Sequence, residues 1–284
     1  MSAKGDIDMR EARERRPPEE LGISGRIDHK VTLSDGVSLS VRLVTPNGQQ
    51  TGRGVLLVHG FAAEKTENGL FDTLASRLAA GGLATAQYDW RGLGDSEGTF
   101  HNVTLQRHAD DLVELARWFE KRIEVPSGSL SVIGFSLGAT ILAMAAKSGF
   151  QMASAVFLSP AFRPKRDMWP RYKHLQRQLR ETEAVTKPGS RVLLGQAILG
   201  SLEVADVTED VRALRAPLLV CHGSKDQRIP LASTRRALSH VQDSVQLEVF
   251  KGASHSFRPE KEHRPRLGNV VCEWLLGLER NRVF

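Results

Sequence analysis

The chain has 284 residues, 40% of them hydrophobic and 25% charged, with a formal net charge of +6. These values fit one large globular α/β domain or two small ones, and they exclude a fibrous or wholly disordered chain. The charge excess is small and diffuse, which argues against a nucleic-acid partner, and only two cysteines, Cys221 and Cys272, are present, too few for a disulfide framework.

Residues 1–22 hold five Lys/Arg, six Asp/Glu and the pair Pro17-Pro18, with little to bury. They read as a disordered leader; the alternative is a charged helix making homodimer contacts. No apolar signal-peptide core opens the chain and no run approaches the roughly 20 apolar residues of a membrane helix, so no membrane span and a cytoplasmic location are expected. From Arg26 the pattern alternates. Val31 to Leu33 and Val37 to Leu43, joined across Ser34-Asp35-Gly36, predict an antiparallel hairpin at a sheet edge, and Pro46-Asn47-Gly48 predicts a turn.

The apolar run Gly54 to Val58 predicts a parallel strand buried on both faces, followed by His59-Gly60-Phe61. Helical spacing of Leu70, Leu74 and Leu78 predicts a helix from Asn68 to Ala80 that stops at Gly81-Gly82. A strand from Leu83 to Tyr88 leads into the Asp89 to Gly98 loop, and a helix is expected from Leu105 to Lys121. Next come an apolar strand ending at Ile133, the turn Gly134-Phe135-Ser136-Leu137-Gly138, and a run of small helix formers. Strand, Gly-x-Ser-x-Gly turn and helix form the context of a nucleophile elbow, although the five residues alone also describe a surface turn. A serine on so sharp a turn needs neighbours without side chains.

Ala155 to Leu158 predicts another buried strand, after which the rhythm breaks. Residues 161–215 read as an inserted cap, with a basic amphipathic segment around Tyr172 to Leu179 and a helix over Val192 to Leu199. Eight Lys/Arg stand against three acids between Arg163 and Lys187. The alternative is a solvated helical excursion with no role at a site. Strand rhythm returns at Pro217 to His222 and again at Val245 to Phe250, with a helix from Leu231 to His240 between them. A last helix is expected from Leu267 to Leu278.

A serine hydroxyl needs a base within hydrogen-bond reach, and the base needs a carboxylate to fix its tautomer. Loops at predicted strand ends supply Ser136, Asp226 and His255, in an order used by serine enzymes with such an elbow. Asp206 and Asp243 are the fallback acids. His59 and His222 each end a strand before a glycine and read as loop-organising residues. The backbone N–H groups of Leu137 and Phe61 are the expected donors to an oxyanion. Asp89, Asp95 and Glu97 match no calcium loop, and Arg91 among them would repel a cation, so that loop reads as structural, with Arg91 pairing an acid. No Gly-x-Gly-x-x-Gly follows the first buried strand, which disfavours a nucleotide cofactor.

Together, His59-Gly60-Phe61, the Asp89 to Gly98 loop, Gly134 to Gly138, His222-Gly223-Ser224-Lys225-Asp226 and Ala253-Ser254-His255 resemble the α/β-hydrolase superfamily from about residue 26 onward. The Asp-x-Arg-Gly-x-Gly-x-Ser-Glu-Gly loop is similar to that of the serine aminopeptidase and monoglyceride-lipase-like group and of the cinnamoyl and feruloyl esterases. The resemblance implies a mostly parallel eight-stranded sheet with helices on both faces and an inserted cap. The core would span 23–160 and 216–284, with the cap or lid at 161–215. It further implies Ser136 as nucleophile, His255 as base, Asp226 as orienting acid, Phe61 and Leu137 as oxyanion donors, and no cofactor or metal. Phe135 departs from relatives that carry His or Tyr there. The expected activity is cleavage of a small carboxylic ester through an acyl-enzyme. A thioesterase, a peptidase or lipase, and a non-catalytic binding protein of the same fold are the alternatives. The basic cap points to an anionic or carboxylate-bearing substrate.

Overall fold

A computed structural model describes residues 23–46, 52–212, 214–239, 241 and 245–280. The leader, the turn residues Asn47 and Gly48, and Asp243 lie outside the described residues.

One eight-stranded sheet organises the chain. Its strands are β1 (Ile23–Thr32), β2 (Ser38–Pro46), β3 (Gly54–Val58), β4 (Ala84–Tyr88), β5 (Ser131–Phe135), β6 (Ser154–Leu158), β9 (Leu218–Gly223) and β10 (Val245–Phe250). Two further short strands, β7 (Ala184–Thr186) and β8 (Leu193–Gly195), pair only with each other. The order across the large sheet is β1-β2-β4-β3-β5-β6-β9-β10. The β1–β2 hairpin expected at the edge is there, and β2 runs antiparallel to both β1 and β4. Every other pairing in the large sheet is parallel.

Residues of β3 and β6 are buried throughout, as apolar runs predict for strands covered on both sides, and β4 is equally buried although it carries Thr85 and Gln87. Alternation within them sorts the core into two layers. Val55, Leu57, Ile133, Val156 and Leu219 face a cluster that includes α1 (Leu70–Ala80) and α8 (Glu260–Arg280). Leu56, Val58, Val132, Phe157 and Val220 face the other cluster, with α2 (Leu105–Arg122) and α3 (Leu137–Lys147). Thr104 caps α2 by accepting the Arg107 N–H at 3.2 Å. Helix α8 begins seven residues before the expected Leu267, because its first turns are polar and lie ahead of the apolar stripe that marks the rest.

Between β6 and β9 the chain forms the cap. It contains the single turn α4 (Pro164–Asp167), three 3-10 turns between Trp169 and Arg180, the β7–β8 hairpin, α5 (Gln196–Val204) and α6 (Thr208–Arg212). The helix expected over Val192 to Leu199 is therefore half strand: 193–195 pair with 184–186, and the helix starts only at Gln196. Gly195 is extended, and a Cβ there would lie 2.6 Å from the His101 carbonyl oxygen, so close packing on the 3-10 turn Phe100–Asn102 selects strand over helix. The basic segment near Tyr172 likewise forms 3-10 turns in place of one amphipathic helix. Ile198, Leu199, Leu202, Val207 and Val211 bury the cap into the α2–α3 layer. Helix α7 (Leu231–Leu238) completes the fold, and its Ser233 hydroxyl donates to the Asp167 carboxylate of the cap at 2.9 Å.

Candidate active site

All the expected site residues lie at the carboxyl edge of the parallel strands, where loops can converge without breaking the sheet ladder. Ser136 occupies the single residue between β5 and α3, with φ 54° and ψ −115°. A non-glycine residue at positive φ is strained and persists only when its surroundings hold it. Here the Ser136 N–H donates to the Leu158 carbonyl at 2.8 Å, and its own carbonyl accepts from Ala139 N at 3.2 Å and Ala161 N at 3.1 Å. The flanking glycines permit the approach. A Cβ on Gly134 would sit 2.7 Å from the Ala139 backbone, and one on Gly138 2.2 Å from the Val58 oxygen.

His255 reaches this serine from the loop after β10. Its Nε2 lies 3.1 Å from Ser136 Oγ, and its Nδ1 lies 2.7 Å from Asp226 Oδ2. With the carboxylate as acceptor, Nδ1 carries the proton and Nε2 presents its lone pair to the serine hydroxyl. Two contacts hold the histidine loop: Ser159 Oγ donates to the His255 carbonyl at 2.9 Å, and Lys225 N donates to the Ala253 carbonyl at 2.9 Å. Asp226 Oδ1 is occupied by the backbone N–H groups of Arg228 and Ile229, at 2.8 and 2.9 Å. All three side chains are nearly closed to solvent, with Ser136 and His255 each 6% exposed and Asp226 7%. Burial alone would raise the Asp226 carboxyl, but hydrogen bonds from His222 and His255 outweigh it and hold it well below the usual carboxylate range. Burial lowers His255 below the ordinary histidine value, only partly countered by Asp226.

His59 and His222 are loop-organising, as their positions suggest. His59 Nδ1 donates to the Gly60 carbonyl at 2.8 Å while Nε2 accepts the Trp90 N–H at 3.0 Å, and burial holds it down to about 4, so it is neutral. His222 Nε2 donates to the Ile229 carbonyl at 2.9 Å and also lies 3.3 Å from Asp226 Oδ2, a contact with the acid that position in the chain does not reveal. Its Nδ1 accepts from Thr234 Oγ1 at 3.0 Å. Phe61 lies in the loop after β3 and Leu137 opens α3 after β5, so both backbone N–H groups lie at the carboxyl ends of neighbouring strands. Phe135, the departure noted above, packs its ring 5.0 Å from the His255 ring. The fallback acid Asp206 accepts from the Thr208 N–H at 3.0 Å, at the start of α6, and does not meet His255.

Sequence patterns gave no hint of Glu67. Its side chain is buried, at 5% exposed, and Oε2 accepts the Gly60 N–H at 2.8 Å, one residue before Phe61. Burial pushes this carboxyl up to about 7. A glutamate inside a polar loop reads as solvated, and only the tertiary fold encloses it. The Asp89 to Gly98 loop is structural. Arg91 forms a paired contact with Asp111 at 2.9 and 2.8 Å and meets Asp35 at 2.8 Å. Lys65 Nζ stands between Asp89 and Asp95, 2.7 Å from each, so the chain itself supplies the cation between these acids.

Sheet order, elbow and cap define the α/β-hydrolase fold. Residues 49–203, more than half of the chain, match the family described as "Serine aminopeptidase, S33", and the chain belongs to that family. A monoacylglycerol lipase of Mycolicibacterium smegmatis is similar over 89% of this chain and 98% of its own length, at 26% identity. Among solved structures, the ferulic-acid-bound Est1E of Butyrivibrio proteoclasticus aligns over 88% of this chain and 98% of that one, with TM-score 0.73 and 19% identity. The α/β hydrolase GrgF of Penicillium aligns over 92% of this chain and all of that one, with TM-score 0.73 and 18% identity. Among the described residues no helix is long and apolar enough to cross a membrane.

Proposed function

We propose that this chain is a serine esterase that cleaves a small carboxylic ester through an acyl-enzyme. The observation that carries this reading is the unbroken hydrogen-bond line from Ser136 Oγ through His255 to Asp226, at 3.1 and 2.7 Å. Ser136 Oγ attacks the ester carbonyl as His255 Nε2 takes its proton, forming a tetrahedral oxyanion. The N–H groups of Phe61 and Leu137 stabilise that charge, the term that usually contributes most to such barriers. Collapse breaks the C–O bond, and the departing alcohol takes the proton from His255. Water then attacks the acyl-serine with His255 again as base, releasing the acid and restoring Ser136. Asp226 stays ionised throughout, holding the His255 tautomer and stabilising the imidazolium.

Similarity to a monoacylglycerol lipase over nearly its whole length favours ester over amide cleavage. The test is labelling with a fluorophosphonate probe, followed by steady-state rates on p-nitrophenyl esters, hydroxycinnamate esters, monoacylglycerols, acyl thioesters and aminoacyl amides. Wild type is expected to label and turn over esters fastest, whereas Ser136→Ala loses labelling and about 10⁶ in kcat. An unlabelled, folded wild type identifies a non-catalytic binding protein. Faster amide than ester cleavage identifies a peptidase.

A further inference from the structure

The rim of the site combines an aromatic wall with two cations that form no salt bridge among the described residues. The Phe61 ring lies 5.8 Å from the Phe100 ring and 5.2 Å from the ring of Tyr172 in the cap, joining core to cap beside the proposed oxyanion donor. Over the same Phe61 ring, 5.7 Å from its centroid, stands Lys187 Nζ. Lys187 follows β7, and its backbone is fixed by bonds from Lys187 N to the Val192 carbonyl at 2.8 Å and from Ser190 N to its own carbonyl at 3.1 Å. Its side chain is half-buried.

Arg228 lies two residues after Asp226. Its N–H is held by the Asp226 carboxylate at 2.8 Å, and its carbonyl accepts from Arg171 Nη2 of the cap. Neither Lys187 nor Arg228 forms an ion pair among the described residues. Burial pushes the Lys187 ammonium below its ordinary range, and the Arg228 charge pushes the same way, against a smaller opposing pull from Glu67. The Arg228 charge also reaches His255, so this cation and the reacting groups share one electrostatic neighbourhood. Both charges act on the Glu67 carboxyl, whose Oε2 is already taken by the Gly60 N–H and which burial holds up to about 7. Two cations therefore act on one carboxyl that is only partly ionised near neutrality. Arg228 is exposed and Lys187 half-buried, so both charges are open to an anion entering from solvent, and such an anion would offset the burial cost of the Lys187 ammonium.

We infer that Lys187 and Arg228 form an anion-binding subsite that selects esters carrying a second carboxylate, remote from the scissile carbonyl. The inference rests on the esterase reading and specifies its substrate class. The cation–π contact with Phe61 orients the ammonium without neutralising it, and Arg228 supplies the fork geometry that suits a carboxylate.

The experiment compares matched substrate pairs that differ only in charge. One pair is the 4-methylumbelliferyl ester of suberic acid with a free distal carboxylate, and the same ester with a distal carboxamide. A second pair, the acetate esters of 4-hydroxyphenylacetic acid and of its amide, puts the carboxylate on the alcohol side. In at least one pair the carboxylate member is expected to have the higher kcat/KM by about tenfold, chiefly through KM, as for a charge-assisted contact. That ratio should fall with added salt. Lys187→Gln and Arg228→Gln each reduce it, the double variant brings it to about one, and Lys187→Arg retains it. Any general effect of a substitution on catalysis acts on both members of a pair and cancels in the ratio. A fluorophosphonate-labelled wild type with a ratio of one or below in both pairs, or a ratio unchanged in the double variant, overturns the inference while leaving the esterase reading standing. Failure of wild type to label overturns both.

Discussion

Glu67 shows how one residue's surroundings alter its chemistry. In an unfolded chain its carboxyl titrates near the ordinary 4.5, and in the fold burial pushes it up to about 7. Between those two values the unfolded state ionises while the folded state keeps its proton, so stability falls as pH rises through that window and is level above it. A glutamine keeps an oxygen for the Gly60 N–H without the charge. Glu67→Gln should therefore remove the slope, with a difference from wild type that grows to the order of 3 kcal/mol between pH 4.5 and 8. Urea unfolding at stepped pH measures this, and parallel wild-type and variant curves would refute it. Sequence could not single out Glu67, because neither its neighbours Thr66 and Asn68 nor its spacing distinguishes it from a solvated loop acid. Ser136 is the opposite case. Its glycines sit two residues away on either side, so the strained turn is written locally.

At the scale of elements, the elbow works because α3 and β3 approach within backbone contact. Gly138 makes that possible: a Cβ there would lie 2.2 Å from the Val58 oxygen and 2.5 Å from the His59 oxygen, both backbone atoms that cannot rotate away. Gly138→Ala should thus force α3 away from the loop that carries Phe61. The expected cost is about 1–3 kcal/mol of stability, as for overpacking a filled core, with about a hundredfold loss in kcat/KM from a displacement near 1 Å. Urea midpoints and ester hydrolysis read the two effects, and an alanine variant with wild-type stability and rate would show that the approach is not needed. Strands β3, β5 and β6 were legible because parallel strands buried on both faces leave short apolar runs. The β7–β8 hairpin was not. Val192 to Leu199 suits a helix as well as a strand by its apolar content, and only pairing with 184–186 and packing on His101 decide between them.

The whole molecule is tied together by polar contacts between loops distant in sequence. Lys65, after β3, bridges Asp89 at the end of β4 and Asp95 beyond it, and Asp89 is fully buried. Removing the cation leaves an unpaired buried carboxylate, so Lys65→Met should cost about 3 kcal/mol or more. Calorimetry would register this as a lowered Tm, and an unchanged Tm would show that the Asp89 charge is held by its backbone partners alone. The cap is latched in the same manner, through Ser233 to Asp167 and through Arg171 to the carbonyls of Gln227 and Arg228.

Local signals alone determined the strand rhythm, the elbow and the three residue types Ser136, Asp226 and His255, because each is recorded within a few neighbouring residues. Their meeting was decided by the tertiary structure: the serine and histidine that lie 3.1 Å apart are separated by 119 positions. The second histidine against Asp226, the enclosure of Glu67 and the gathering of Lys187 and Arg228 at the rim likewise arise only from packing. Burial, charge proximity and desolvation depend on what the fold brings together, and no stretch of the chain carries them by itself.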